Sequence, residues 1–507
     1  MLEWLRQRAA REGGAEALVD GGQRLTFAQL AAAACAVAAR VQAAGVAPGD
    51  RVGLACENSA AFVAAYLGIL DCGAVFVPLD PSAPPAVLQS AIEDTAMRWL
   101  IADGPARLGP AAASSDVVRV GLDEILPGNP PSGSLTLASP AARAGQAPAA
   151  PEETAPDGLQ AIVYTSGTTG RPKGVMLTAS ALREVAEAGV AMLGLRASDR
   201  VGIITPLFHL YALREVDAAL RAGACLVLAR NLTFPASVLR QVQAERVTYL
   251  SGVPAGFALL VERYAEMLAR CGDHLRAVAL GTAPCPPALA AAIRSLLPKA
   301  RVILTYGLTE ASRVCCRDAE EPDPRPGSIG RPYPGVELRA LDDRGMPLPP
   351  NTPGRIALRT AMAAAGYWNR PEATRDLRLA EGWILSPDHG RIDENGYLFL
   401  QGRVDEVINS GGEKVSPDEV EAALRGHPQV ADCAVLSADD PDGHLGQIVL
   451  AIVVPAPGGR LDAEELTRFC AGRLELRKVP RAFRIVESLP RTALGKVDRG
   501  RLRAAEA

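Results

Sequence analysis

The sequence predicts an α/β fold with a large N-terminal domain of βαβ sheets, a small β-rich subdomain and a small α+β C-terminal domain. Apolar runs of strand length alternate with helix-like segments up to about residue 310, a pattern typical of parallel βαβ units covered on both faces. From 327 to 399 the sequence pattern changes to short predicted strands separated by Pro/Gly turns. A chain of 507 residues is also too long for one hydrophobic core.

Short apolar runs supply the strands of the first region. Thr26-x-x-Gln29 is a capping box that predicts an early helix, which the Ala-rich stretch 31–44 continues. The Pro-, Ala-, Ser- and Gly-rich stretch 132–157 predicts an exposed excursion. The predicted strands are 51–56, 74–78, 201–205, 224–229, 247–250, 277–280 and 302–306.

A domain boundary is predicted at residues 401–405, so that 1–401 form the N-terminal core and 402–507 the C-terminal domain. Two helix starts follow, Ser416-Pro417-Asp418-Glu419 and Asp462-x-x-Glu465. The apolar runs 430–436 and 447–454 add strands. Together these segments predict a compact α+β unit of domain size.

Composition excludes several classes of function. A net charge of -4 argues against nucleic acid or an anionic membrane as a partner. The ten cysteines form no C-x-x-C pair, and Cys315-Cys316 is interpreted as two small buried hydrophobes in preference to a redox pair. Free thiols suit a reducing cytoplasm, the N-terminus lacks a signal-peptide core, and no apolar run is long enough to span a bilayer. We therefore expect a cytoplasmic protein.

Residues 164–174, Tyr-Thr-Ser-Gly-Thr-Thr-Gly-Arg-Pro-Lys-Gly, carry the strongest chemical signal. They follow a short apolar run and combine three glycines, four Ser/Thr hydroxyls and one lysine. Glycines bare main-chain N–H groups to a ligand, and lysine supplies a mobile cation for phosphate oxygens. The spacing is not that of the Walker P-loop. Such clusters also occur in surface loops, but the ordered donors after a predicted buried strand favour phosphate binding.

This segment resembles the signature loop of the adenylate-forming superfamily, which comprises acyl- and aryl-CoA ligases, luciferases and peptide-synthetase adenylation domains. Each further motif alone is weak, but six follow in the family's order and cover nearly the whole chain. They are Phe208-His209-Leu210-Tyr211-Ala212-Leu213, Gly281-Thr282-Ala283-Pro284, Tyr306-Gly307-Leu308-Thr309-Glu310, Gly382-Trp383…Asp388, Gly402-Arg403-x-Asp405 and Pro490-Arg491-Thr492-x-x-Gly495-Lys496.

The resemblance implies activation of a small carboxylic acid as acyl-AMP, with ATP, Mg²⁺ and CoA taking part. The family's nucleotide-binding residues correspond to Thr165, Ser166, Gly167, Thr168, Thr169, Gly170, Lys173, Gly281, Thr282, Ala283, Tyr306, Gly307, Thr309, Asp388, Arg403 and Lys496. Those implied to be catalytic are Lys496, His209, Thr309 and Glu310, of which Glu310 would ligate Mg²⁺. The implied acyl pocket comprises His209, Tyr211, Gly281, Gly307 and Leu308.

One departure concerns the ribose site. The family usually has Thr-Gly-Asp where this chain has Ser386-Pro387-Asp388. The aspartate that would accept the ribose hydroxyls is kept, but proline has no backbone N–H and fixes the local φ. Weaker nucleotide binding is therefore expected.

His209 bears on the class of acid. Amino-acid-activating members place an Asp near this position to pair with the substrate ammonium, so α-amino acids are disfavoured, and the motif is similar to that of 4-coumarate–CoA ligase. Arg214 and Arg313 flank two motifs of the presumed acyl site. In one interpretation, one of these arginines pairs with a second anionic group of the substrate. The favoured interpretation is that both are solvated surface residues.

The resemblance implies CoA as the acceptor. Gly411 and Gly412 match a segment that turns toward the pantetheine channel, and Asp405 matches a hinge about which a mobile C-terminal domain rotates between half-reactions. A phosphopantetheinyl carrier protein presents the same thiol and stays open as an alternative. A second alternative also stays open, in which the protein only binds or transfers acyl-adenylate. The sequence leaves the acid and the oligomeric state open.

Overall fold

The computed structural model describes residues 2–83, 85–103, 116–121, 134–139, 158–165, 172–229, 232–318, 325, 327–403, 406, 408–410, 413–441, 447–474, 478–492 and 495–506. Its helices are α1 (Glu3–Glu12), α2 (Phe27–Ala43), α3 (Ala60–Asp71), α4 (Pro85–Thr95), α5 (Ala179–Leu193), α6 (Leu210–Ala222), α7 (Pro235–Ala244), α8 (Pro254–Arg263), α9 (Ala265–Cys271), α10 (Pro287–Leu296), α11 (Pro371–Leu377), α12 (Pro417–Arg425), α13 (Ala463–Ala471) and α14 (Arg499–Glu506).

The strands up to the end of the predicted βαβ region are β1 (Glu16–Asp20), β2 (Gln23–Thr26), β3 (Arg51–Ala55), β4 (Val75–Pro78), β5 (Trp99–Asp103), β6 (Asp116–Gly121), β7 (Ser134–Ser139), β8 (Leu159–Thr165), β9 (Lys173–Thr178), β10 (Arg200–Ile203), β11 (Cys225–Leu228), β12 (Tyr249–Gly252), β13 (Ala277–Leu280) and β14 (Arg301–Tyr306). The later strands are β15 (Cys315–Asp318), β16 (Arg331–Pro332), β17 (Val336–Leu341), β18 (Gly354–Thr360), β19 (Gly366–Tyr367), β20 (Ile384–Ile392), β21 (Leu398–Arg403), β22 (Ile408–Ser410), β23 (Glu413–Val415), β24 (Val430–Asp439), β25 (Gln447–Pro455) and β26 (Ala482–Ile485).

Two large sheets form the N-terminal part of the described chain. One has nine strands in the order β16-β15-β14-β13-β12-β10-β11-β1-β2, and its strands from β14 to β1 pair in parallel. The other has eight, in the order β19-β9-β8-β4-β3-β5-β7-β6. The seven runs predicted as strands in this part of the chain all form strands, displaced by at most two residues at either end.

Helices fill the space between and outside these sheets. α2, α3 and α6 share one apolar core with strands of both sheets, while α7 to α10 cover the outer face of the nine-stranded sheet and α4 that of the other. α2 begins at the predicted capping box, in which the Thr26 hydroxyl accepts the Gln29 N–H and the Gln29 side chain accepts the Thr26 N–H. Near-continuous apolar strands, buried on both faces, explain this layering.

The stretch predicted as an exposed excursion is partly a strand. Residues 134–139 form β7, which pairs antiparallel with β5 and β6. The sequence Ser-Leu-Thr-Leu-Ala-Ser alternates apolar and small polar residues, as strands do. The strand was not predicted because the residues around it are rich in Pro and Gly. The rest of the predicted excursion, residues 132–133 and 140–157, lies outside the described residues.

The β-rich subdomain is a four-stranded antiparallel sheet, β17-β18-β20-β21, as the Pro/Gly-punctuated sequence predicted. The smaller C-terminal part packs α12 and α13 against β24 and β25. Both predicted helix starts are confirmed, because the Ser416 hydroxyl accepts the Glu419 N–H and the Asp462 carboxylate accepts the Glu464 N–H. The predicted fold class, with a large and a small domain, is confirmed.

Candidate active site

The carboxyl ends of three neighbouring parallel strands, β12, β13 and β14, form the base of the candidate site. Gly281 follows β13, and a Cβ there would lie 2.5 Å from both the Thr305 Oγ1 and the Tyr211 ring. Gly307 follows β14, and a Cβ there would lie 1.9 Å from the carbonyl oxygen of Ser312. Only glycine fits these two places, since real Cβ contacts are not that short. The motifs thus keep the strand ends tightly packed beside the pocket.

Tyr211 lies in the first turn of α6 and closes one side of this base. Its hydroxyl donates weakly to the carbonyl of Gly252 at 3.3 Å and accepts from the Ser251 hydroxyl at 3.1 Å. Burial is the main reason why the pKa of Tyr211 is raised. The ring is therefore a fixed, neutral wall, as predicted for a pocket residue.

The segments that follow β13 and β14 turn sharply. Thr282 has a positive φ of 72°, and its buried Oγ1 has no hydrogen-bond partner within the described part of the chain. The carbonyl of Leu308 accepts the N–H of Ala311 at 3.2 Å, which bends the chain at Thr309 and Glu310. Thr282, with its neighbour Ala283, and Thr309 with Glu310 are therefore presented at the strand ends, where ligands bind in open α/β sheets.

Asp388 lies in β20 and faces the end of β14. Its Oδ2 accepts hydrogen bonds from the Tyr306 hydroxyl and, at 3.0 Å, from the Ser386 hydroxyl. The Ser386 Oγ in turn accepts the Asp388 N–H at 2.9 Å. β21 pairs with β20 so that Arg403 is opposite Asp388. The structure thus joins Tyr306, a predicted nucleotide-binding residue, to Asp388, the predicted ribose-binding residue.

The predicted phosphate loop begins and ends on the β8–β9 hairpin, in which Thr165 pairs with Lys173. Thr165 Oγ1 lies 3.4 Å from the carbonyl oxygen of Lys173. The Lys173 ammonium lies 5.2 Å from the ring centroid of Tyr367. Ser166, Gly167, Thr168, Thr169 and Gly170 lie outside the described residues.

Glu310, the predicted metal ligand, is half-buried. Its Oε1 accepts a hydrogen bond of 2.7 Å from the Tyr367 hydroxyl, and its carbonyl accepts the N–H of Ala364 at 2.8 Å. Among the described residues, no group of three or more His, Cys, Asp or Glu side chains could hold a metal ion. One carboxylate beside a phosphate site suits Mg²⁺, which binds proteins through one or two carboxylates and takes its other ligands from phosphates and water.

His209 is the N-cap residue of α6 and is largely buried, and its Nε2 has no partner among the described residues. Burial, opposed by the Asp80 carboxylate and reinforced by the Lys496 ammonium, lowers the pKa of His209 to about 4. A Cβ on Gly495 would lie 3.1 Å from the Cβ of Ala255 in α8. The C-terminal segment that carries Lys496 is thus docked on the N-terminal part, beside a neutral His209.

The interpretation of Arg214 and Arg313 as surface residues is wrong. Arg313 is fully buried and Arg214 is 6% exposed. The Arg313 guanidinium lies 3.2 Å from the Glu215 carboxylate, and the Arg214 guanidinium donates to the Ser312 carbonyl at 2.7 Å. Sequence reasoning overlooked Glu215, the intramolecular counterion that allows burial of these charges.

Two family patterns match successive parts of the chain. The sequence pattern of the family "AMP-binding enzyme" matches residues 5–368, and that of its C-terminal domain matches residues 419–496. The chain belongs to the AMP-binding enzymes. The predicted membership of the adenylate-forming superfamily is thereby confirmed.

Individual members of this family match over almost their full length. Feruloyl-CoA synthase of an Amycolatopsis species is 34% identical over 504 residues, which is 99% of this chain and 98% of that protein. ATP-bound MatB from Rhodopseudomonas palustris superposes with a TM-score of 0.86 at 27% identity, covering 99% of this chain and 97% of the other. The o-succinylbenzoate–CoA synthetase of Bacillus subtilis, with its acyl-adenylate intermediate, gives 0.82 at 29% identity and covers 99% and 97%.

As an AMP-binding enzyme, the chain acts on ATP and CoA, and the prediction of an acid–thiol ligase is confirmed. Three predicted residues, Asp405, Gly411 and Gly412, lie outside the described residues, as does the side chain of Arg403.

Within the parts of the chain that the structure describes, no helix is both long and apolar enough to cross a bilayer. Tyr367 was overlooked because a two-residue strand carries no periodicity.

Proposed function

We propose that this AMP-binding enzyme converts a carboxylic acid with an uncharged body to its CoA thioester through acyl-AMP, in one site shared by the two domains. The observation that carries this proposal is the docking of the Lys496 segment against α8, beside His209. It gives a C-terminal lysine access to the place where the strand ends, His209 and Tyr211 meet. An acid carboxylate and the α-phosphate of ATP would come together there.

The nucleotide would lie across the ends of β13 and β14. Asp388, held by Tyr306 and Ser386, would accept the ribose hydroxyls, with Arg403 assisting. Gly281, Thr282, Ala283 and Gly307 would border the adenine and ribose, while Thr309 would bond the α-phosphate. The outgoing phosphates would be held by Lys173 and by Thr165, Ser166, Gly167, Thr168, Thr169 and Gly170.

Mg²⁺ would bind Glu310, whose carboxylate supplies the hard oxygen ligand that this ion prefers. Bound there, it would neutralise charge on the phosphate oxygens. The enzyme's own residues supply the rest, because the Lys496 ammonium would bridge the acid carboxylate and the α-phosphate while negative charge develops between them.

The chemistry has two balanced steps. A carboxylate oxygen attacks the α-phosphorus, the bond to the β-phosphate oxygen breaks, and pyrophosphate leaves with that electron pair. The CoA thiolate then attacks the acyl carbon of acyl-AMP, and AMP leaves with the carboxylate oxygen it gained. Adenylation is needed because hydroxide is a poor leaving group from a free acid, whereas AMP leaves readily.

The acyl pocket supports an acid without a second charge. Its proposed walls are Tyr211, Gly281, Gly307 and Leu308, and His209 is neutral at physiological pH because burial lowers its pKa to about 4. Two buried cations, Arg214 and Arg313, pair with the Glu215 carboxylate and donate to main-chain carbonyls, and each keeps one N–H group without a hydrogen-bond partner among the described residues. An aryl acid such as ferulate, the substrate named in a relative of this chain, fits this environment better than a dicarboxylate.

The acceptor step would follow rotation of the C-terminal domain, residues 402–507, about a hinge at Asp405, which brings the face with Gly411 and Gly412 to the acyl-AMP. Free CoA is proposed as the acceptor, and a carrier protein is the second candidate because its thiol is chemically identical. A cytoplasmic location is proposed from the ten cysteines, of which none is in a disulfide.

Hydroxamate trapping tests the proposal. The enzyme, ATP and Mg²⁺ are incubated with a panel of aryl, alkyl and dicarboxylic acids, and hydroxylamine captures any acyl-AMP. The expected result is trapping with uncharged-body acids, and replacement of hydroxylamine by CoA should give the thioester. If no acid is trapped while AMP binds measurably, the protein only binds nucleotide. Transfer to a phosphopantetheinylated carrier but not to CoA would favour the second acceptor.

A further inference from the structure

Tyr367 links the two predicted charges of the phosphate site. The edge of its ring carries the hydroxyl that donates to Glu310 Oε1 at 2.7 Å. The face of the same ring lies 5.2 Å from the Lys173 ammonium, within the range of a cation–π interaction. One side chain therefore contacts the proposed metal ligand and the proposed phosphate-binding cation through two different parts of its surface.

The backbone around Tyr367 fixes its position. β19 pairs antiparallel with β9, which places Tyr367 opposite Val175, two residues from Lys173. The Thr374 hydroxyl accepts the Tyr367 N–H at 2.9 Å, and the Trp368 N–H donates to the Gly174 carbonyl at 2.7 Å. The phenol is thus held on the same hairpin that begins and ends the predicted phosphate loop.

We propose that Tyr367 is a positioning residue that aims Glu310 at the nucleotide-bound Mg²⁺ and Lys173 at the outgoing phosphates. This inference rests on the proposed function of the site. A hydroxyl donor orients one carboxylate oxygen and leaves the other free for the metal. The ring face holds the Lys173 ammonium toward the phosphates before they bind, through a cation–π contact worth about 1 kcal/mol when exposed.

The two contacts can be separated by substitution. Tyr367→Phe keeps the ring under Lys173 and removes only the hydroxyl that orients Glu310. Tyr367→Leu removes both contacts. Tyr397→Phe is a matched control. Tyr397 lies in the β-rich subdomain, where its ring centroid is 4.6 Å from the Arg331 guanidinium, so its hydroxyl is not expected to act on Glu310 or Lys173.

The experiment measures binding of the non-hydrolysable analogue α,β-methylene-ATP by calorimetry, with and without Mg²⁺, in the full-length enzyme. In Tyr367→Phe, metal-free binding should match the wild type, while the Mg²⁺ concentration needed for half-maximal enhancement rises about five- to tenfold, the range expected on loss of a charge-assisted hydrogen bond. In Tyr367→Leu, metal-free binding should also weaken, by about threefold. Tyr397→Phe should match the wild type in both measurements.

Two outcomes would overturn the inference while leaving the proposed function intact. One is an unchanged Mg²⁺ dependence in Tyr367→Phe, and the other is the same loss of metal-free binding in Tyr367→Phe and Tyr367→Leu, which a general structural defect would give. If Glu310→Gln and the Glu310→Gln/Tyr367→Phe double variant have the same Mg²⁺ dependence, the hydroxyl acts through Glu310 as inferred. Failure of the wild-type enzyme to bind the nucleotide analogue would overturn the proposed function itself.

Discussion

The hydroxyl of Tyr306 donates a hydrogen bond to Oδ2 of Asp388, an oxygen that also accepts from Ser386. These two donors hold the carboxylate in one orientation. In the proposed function, the other oxygen, Oδ1, would accept from a ribose. The weaker nucleotide binding expected from Pro387 stays a prediction, since the Ser386 Oγ accepts the N–H of Asp388 but cannot replace the N–H that proline lacks.

Replacement of Ser386 tests this orientation. Ser386→Ala should raise the Kd for ATP about five- to tenfold, because Asp388 loses a donor and its own N–H loses an acceptor. Ser386→Thr keeps the hydroxyl and serves as the control, with a Kd within about twofold of the wild type. Calorimetric titration gives both values. Equal Kd values for the Ala and Thr variants would show that the hydroxyl does not support the ribose site.

Lys496→Ala should separate the two half-reactions. The rate of adenylation, followed by pyrophosphate release, should fall at least about a hundredfold, since an ammonium that stabilises developing charge is lost. The rate of thioester formation from supplied acyl-AMP and CoA should fall by less than about threefold, since the proposed rotation moves Lys496 away. Comparable losses in both half-reactions would contradict the rotation.

The ion pair of Arg313 with Glu215 is expected to support the fold. Arg313→Met should lower the free energy of unfolding by about 3 kcal/mol, because the buried Glu215 carboxylate keeps only Arg214, at 3.7 Å, as its counterion among the described residues. Adding Glu215→Gln should restore part of the loss. Arg344→Met, at an exposed position, should change it by no more than about 0.5 kcal/mol. Chemical denaturation provides the comparison, and a mild effect of Arg313→Met would mean that the buried pair contributes little.

His209 should make thermal stability depend on pH. Because burial lowers the pKa of His209 from 6.5 to about 4, the unfolded chain binds a proton below pH 6.5 that the folded chain takes up only near pH 4. Stability therefore falls as the pH drops through this window, by on the order of 2–3 kcal/mol for this group. The decrease in Tm between pH 7 and pH 5 should be smaller in His209→Gln. An identical decrease in both proteins would show that His209 is not buried in its neutral form.

Much of the fold could be predicted because its signals are local. The strands of the βαβ region are continuous apolar runs, and α2 carries a complete capping box in Thr26 and Gln29. β7 was overlooked because it lies within a Pro- and Gly-rich context, and its pairing with β5 and β6 is a long-range effect. The antiparallel edge strands of both large sheets depend on tertiary pairing in the same way.

The sequence could supply candidate site residues where a motif fixes a residue type, as at Lys173, Glu310 and Asp388, and their roles stay predictions. Contacts between motifs were not predictable, because residues distant in sequence meet only in the folded chain. Tyr306 and Asp388 are 82 positions apart, and Tyr367 and Glu310 are 57 positions apart. The burial of Arg313 could not be predicted either, since its counterion Glu215 is 98 residues away and belongs to α6.

The most direct test of the central claim follows the oxygen atoms of the acid. An accepted acid labelled with ¹⁸O in both carboxylate oxygens is converted with ATP and CoA, and the products are weighed by mass spectrometry. Activation through acyl-AMP predicts that one ¹⁸O atom appears in AMP and the other stays in the acyl thioester. Release of ADP with ¹⁸O in inorganic phosphate, or of AMP without the label, would contradict the account.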